Sequence, residues 1–163
     1  MHHTARLLHY HAMMGDAFQL PETGDLVRVA SRLAVAALLG GCIGFEREWS
    51  RKAAGLRTHM TVALASAAFV LIMVESAAAP ADVSRVIQGI SAGIGFLGAG
   101  TILKRSSTEE GIKGLTTAAT IWLTAAVGAA AGAGHVAIGV ISVIAAWMIL
   151  TILSGAERLI GRR

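Results

Sequence analysis

Charged side chains crowd into one short stretch of this chain: Glu46-Arg47-Glu48-Trp49-Ser50-Arg51-Lys52, followed across a turn at Gly55 by Arg57 and His59. Anchoring a membrane-facing loop needs only bases. Here acids alternate with them, which implies specific pairing. Arg57 and His59 fall in the first turn of a new apolar segment. There the free N–H groups and the helix dipole favour an anion or a carboxylate. We therefore expect Glu46 or Glu48 to pair with Arg57, and Trp49 to serve as an interfacial anchor. No nucleophile–base–orienter set is legible, and His59 and His135 fall on opposite sides of a long apolar segment. An enzyme is not expected, nor is a cofactor.

Other residues resemble chemical motifs without their context. Gly93-Ile94-Gly95-Phe96-Leu97-Gly98 spells a dinucleotide fingerprint. That pattern has meaning only between a strand and a helix, and here it lies inside an apolar span. Close helix packing is the better account, because small residues let membrane helices approach. The same reasoning covers Ala36, Gly40 and Gly44, then Gly89 and Gly93, then Gly128 and Gly132. Thr116, Thr120 and Thr124 share a helix face and are expected to bond back to their own helix or to a neighbour. Cys42, the single cysteine, is read as a small packing residue. His2, His3, His9 and His11 have no metal-site spacing, and residues 1–25 are expected to form a disordered extension. No metal-ligand set is legible elsewhere. A pore lined by backbone carbonyls stays open, since no acidic residue sits at mid-span to hold an ion.

The elements that must position the cluster follow from composition. The chain has 163 residues, of which 55% are hydrophobic and 15% charged, against about a quarter charged in soluble domains. With a mean hydropathy of +0.65, much of its surface is expected to face lipid. The net charge of +4 is membrane-orienting rather than nucleic-acid-binding. Its bases sit in short groups between apolar runs, and aromatics are too scarce for a stacking platform. Charged residues fence off five spans, about 26–45, 58–74, 86–103, 115–131 and 136–153, within a membrane domain of residues 26–155. A basic tail, 156–163, follows. Arg28 and Arg32, near the outer end of the first span, are expected to snorkel to headgroups. The fold class is thus all-α, a bundle of five transmembrane helices. Lys and Arg number ten on the side of the charged hairpin and four on the other. This puts the hairpin and the C-terminus in the cytoplasm and the N-terminus outside.

A looser echo of the hairpin lies downstream. Gly55-Leu56-Arg57-Thr58 recurs as Gly114-Leu115-Thr116-Thr117, and Gly44-Phe45 as Gly95-Phe96. Two tandem hairpins of the same orientation fit a parallel repeat. In each, glycine would permit the turn and threonine would cap the new helix.

GGCIGFERE, AGLRTH, GIGFLGAGTI and KGLTTAATIWLTAAVGAAAGAG together resemble the MgtC/SapB family of bacterial inner-membrane proteins, strongly over about 33–134. The resemblance implies that Glu46, Arg47, Gly55, Leu56, Arg57, Thr58 and His59 are functional. It implies the same for Gly95, Gly98, Gly100, Gly114, Leu115, Thr116 and Thr117. It further implies a magnesium-limitation or stress setting, a link to virulence in the MgtC branch, and action on another membrane protein. The membrane sector of F-type ATP synthase is the partner implied by analogy. MgtC-branch members carry a soluble C-terminal domain, so the chain resembles the short, SapB-type form, which puts the virulence role in doubt. The expected partners are the lipid bilayer and another membrane protein, with a homo-oligomer also open through the glycine-lined helices. The alternative function is a transporter or channel for an ion, magnesium or other, or a small solute.

Overall fold

In a computed structural model of the protein, residues 22–103 and 114–160 are described, with backbone alone for 103 and 153–160. The histidines of the N-terminal extension, the loop containing Lys104 to Lys113, and Arg162 and Arg163 lie outside them. Five helices follow in order: α1 Thr23–Trp49, α2 Leu56–Glu75, α3 Pro80–Leu103, α4 Leu115–Gly132 and α5 Val136–Ile160. Each covers one expected span, and α1, α3 and α5 run several residues beyond it. Helices are the solution the composition demands, since in lipid every backbone group needs a partner within its own segment. Among the described residues, α1, α2 and α4 are long and apolar enough to cross a membrane, and Val136–Ile152 of α5 is a shorter apolar stretch.

Two compact units divide the chain at Ala30. The described part of the first, 22–30, opens α1 and holds an ion pair between Arg28 and Asp25 at 3.0 Å. The second unit, from Ser31 onward, contains the core.

That core is built by glycine. A methyl placed on Gly128 would lie 2.2 Å from the carbonyl oxygen of Ala63, and one on Gly132 would lie 2.5 Å from that of Ala67. So α4 rests directly on the backbone of α2, and the two helices run parallel. On the other flank of α2, Gly40 and Gly44 of α1 meet the backbone of His59 and Leu56, with α1 antiparallel to α2. Around these approaches Ala36, Ile43, Ala63, Ala67, Val70 and Val127 are almost wholly buried. Gly40, Gly44, Gly128 and Gly132 pack on neighbouring helices as their spacing predicts. Gly89 and Gly93 pack on none of the described helices: a methyl there would meet nothing within 4 Å, as at Gly95 and Gly100. Among the glycines of α3, Gly98 alone has a close neighbour, a methyl there standing 3.4 Å from that of Ala118.

Two other expectations change at the helix ends. Arg32 does not snorkel: its Nη1 donates to the carbonyl of Gly132 at 3.1 Å, satisfying one of the free acceptors at the end of α4. Cys42 is exposed rather than packed, and its carbonyl accepts the indole N–H of Trp147 at 2.9 Å, tying α5 to α1.

Candidate functional site

The charged hairpin forms where α1 ends and α2 begins. Lys52 N–H bonds the Arg47 carbonyl and Arg51 N–H bonds that of Glu48, each at 2.9 Å. This pair closes α1 in a Schellman motif, whose pivot is usually glycine. Here it is Arg51, at φ 52°. The chain then reaches Gly55, the N-cap of α2, with no side-chain cap of its own. The expected threonine cap is absent at both turns: Gly114, at φ 97°, is the N-cap of α4 and also lacks one. At the first turn a carboxylate from the preceding helix does the work. Glu48 Oε2 accepts the N–H of Leu56 at 2.8 Å. A methyl on Gly55 would lie 2.7 Å from that oxygen, so any larger residue would make the carboxylate shift from its cap position. Glu48→Ala should therefore cost about 1 kcal/mol of stability, the usual worth of an N-cap. Chemical denaturation in detergent would measure it, and an unchanged midpoint would refute the capping role.

The two arginines exchange the expected roles. Arg57 is exposed, and among the described residues it makes no ion pair with Glu46 or Glu48. Arg47 is the buried one, 3% exposed. Its Nη1 lies 3.5 Å from Glu46 Oε2, while Glu46 Oε1 accepts the Ser50 hydroxyl at 2.8 Å. Arg47 Nε and Glu46 Oε2 are both buried without a hydrogen bond. A signal for this was present: Arg47 follows Gly40 by seven residues and Gly44 by three, on the face of α1 that packs.

His59 is fully buried. Its Nδ1 lies 2.9 Å from the Gly55 carbonyl. A carbonyl only accepts, so Nδ1 carries the hydrogen. Nε2 faces the Thr120 hydroxyl at 3.5 Å, which donates instead to the Thr117 carbonyl at 2.9 Å. Thr124 likewise donates to the Thr120 carbonyl at 2.7 Å. The expected back-bonding is thus present on Thr120 and Thr124, while Thr116 is exposed.

The remaining motif residues stand apart from the buried Arg47 and His59, although Leu56 and Thr58 line the cleft of the charged hairpin. Leu56 is half-buried, Thr58 and Leu115 are exposed, and Gly95 and Gly100 face open space. Gly114 is fixed by its left-handed backbone and by the Thr101 carbonyl, 2.7 Å from where a methyl would stand. The structure also shifts the register of the repeat. Gly44 packs on the His59 side chain and Gly98 on that of Ala118. His59 and Ala118 hold equivalent places after Gly-Leu-x-Thr, so packing matches Gly44 to Gly98 and not to Gly95.

A glycine-packed bundle of apolar helices with a charged, partly buried hairpin at one end defines a helical membrane protein. The chain belongs to the MgtC family, whose model matches residues 33–159. It is 43% identical over 150 residues to Protein SrpB of Synechococcus elongatus, covering 86% of this chain and 80% of that protein. It is 46% identical over 125 residues to Protein MgtC of Brucella abortus, covering 74% of this chain and half of that one. The putative magnesium transporter YhiD of Escherichia coli is 38% identical over 128 residues, or 74% of this chain and 58% of YhiD. No solved structure matches significantly.

Proposed function

We propose that this chain is a non-enzymatic protein of the bacterial inner membrane that modulates another integral membrane protein by helix-to-helix contact, in a magnesium-limitation or stress setting. The charged hairpin and the C-terminus face the cytoplasm. The observation that carries this reading is the outward side of α3. Ala92, Gly95 and Ala99 recur there at helical spacing, all exposed, beside Phe96 at 81% exposure. Nothing lies within 4 Å of a methyl on Gly95, whereas the glycines of α1 and α4 that line the core press on neighbouring backbone or side chains. Small residues that admit a close helix serve a partner when none of the molecule's own helices uses them. A photo-crosslinker placed at Ala92 in native membranes should capture a discrete membrane protein, and Gly95→Leu should abolish the capture. Crosslinks to lipid alone would refute the reading.

A second reading, transport of an ion such as magnesium, is favoured by the name of the Escherichia coli relative. The α2–α4 contact speaks against a path between those helices. Their backbones touch, and the threonine hydroxyls beside the contact are taken up by their own helix. Saturable magnesium flux in liposomes of purified protein, lost in Glu46→Ala, would replace the first reading with this one.

A further inference from the structure

We infer that the groove between α2 and α3 is a binding site for one anionic phospholipid, with its phosphate at the charged hairpin and an acyl chain along α3. Three adjacent clefts carry the inference. The first, about 580 Å³, runs between the helices and is lined by Thr61, Ala65 and Phe69 of α2 and Gly89, Gly93 and Leu97 of α3. Its walls are almost wholly apolar. The second, about 670 Å³, shares Leu97 with the first and adds the hydroxyl-bearing Thr58 and Thr101. The third, about 480 Å³, shares Thr58 with the second and is lined by Arg51, Lys52, Arg57 and Glu48.

Polarity therefore falls along the groove in the order found in a phospholipid: charged head, mixed neck, apolar tail. The head cleft holds three cations against one carboxylate, and Glu48 is already engaged by the Leu56 N–H. The surplus is positive, which suits a phosphate diester and opposes a cationic ligand. Arg51 is held there in the left-handed region, where glycine would be easier. That strain is kept at a residue that lines the head cleft. The tail cleft has the matching length. Val86 and Leu97 both line it, and the rise between them is about 17 Å, long enough to take an extended hydrocarbon chain. Gly89 and Gly93 leave its floor bare. A hydrocarbon chain suits this apolar floor, along which Phe69 of α2 and Leu97 of α3 are among the lining side chains. The partner face of Ala92, Gly95 and Ala99 lies on another side of α3, so either proposal can fail alone.

The test uses the full chain in nanodiscs of phosphatidylethanolamine containing phosphatidylglycerol, followed by release into detergent and native mass measurement of retained lipid. One phosphatidylglycerol per chain is expected. The combined Arg51→Gln, Lys52→Gln and Arg57→Gln variant should lower its retention at least tenfold. Gly93→Phe fills the tail cleft without meeting any atom at its Cβ, and should do the same without lowering the melting temperature. Gly95→Leu should leave retention as it was. Equal retention by all variants would reduce the lipid to an unspecific annulus and overturn the proposal. Binding of glycerol phosphate as tight as that of the whole lipid would overturn it too, by making the head cleft a site for free phosphate esters. So would a Gly93→Cys crosslink to a second chain in place of lipid.

Discussion

Gly128→Ala is expected to destabilise the bundle by about 3 kcal/mol, the upper end of what a single added methyl costs in a packed core. The methyl would stand 2.2 Å from the Ala63 oxygen and 2.7 Å from its Cα. Both are backbone atoms, so no side chain can rotate aside and the helices must part. Separation would also loosen Thr124, Val127 and Ala131, each buried beside the contact. Gly132→Ala forces the same parting through Ala67. The two substitutions should therefore be less than additive, since the second methyl enters a gap the first has opened. Gly95→Ala is the comparator. It meets nothing within 4 Å and should gain up to about 1 kcal/mol from helix propensity. Unfolding in detergent micelles, followed by circular dichroism, measures each variant against the wild type. Equal effects at Gly128 and Gly95 would show that the α2–α4 contact does not limit stability.

That contrast marks how far the sequence could be read. Hydropathy and charge fences located all five helices, because a segment in lipid must satisfy its own backbone and has one way to do so. Glycine spacing told how closely each helix can be approached. It did not tell what approaches: Gly128 meets the backbone of α2, while Gly93 meets none of the described helices. The hairpin was legible as a site but not in its wiring. Arg47 and Arg57 are equally charged in the sequence. What separates them is helical phase: Arg47 continues the face of Gly40 and Gly44, while Arg57 sits two residues from buried His59 and so points away from it. Counting phase from the glycines would have found the buried arginine. The cap supplied by Glu48 was beyond such counting, because it depends on how the Arg51 pivot folds α1's last turn back over Gly55.

The buried pair gives the sharper expectation. Glu46→Gln should destabilise the protein by about 3 kcal/mol, because it leaves the Arg47 charge buried beside a neutral amide. Arg47→Met should cost a similar amount from the other side. The double variant Glu46→Leu with Arg47→Met should recover most of the loss or exceed wild type, since a buried ion pair is often no better than apolar groups of like volume. This pair is poorly placed to be an exception. Its charges lie 3.5 Å apart, and one nitrogen and one oxygen find no hydrogen bond at all. A pair kept for stability would be better satisfied than this one. The decisive comparison is therefore between stability and partner capture by the crosslinker at Ala92. A double variant that melts at or above the wild-type temperature but captures no partner would place the pair in the working machinery. If it captures the partner normally, the pair has no part in that contact, and the hairpin acts through Arg51, Lys52 and Arg57 alone.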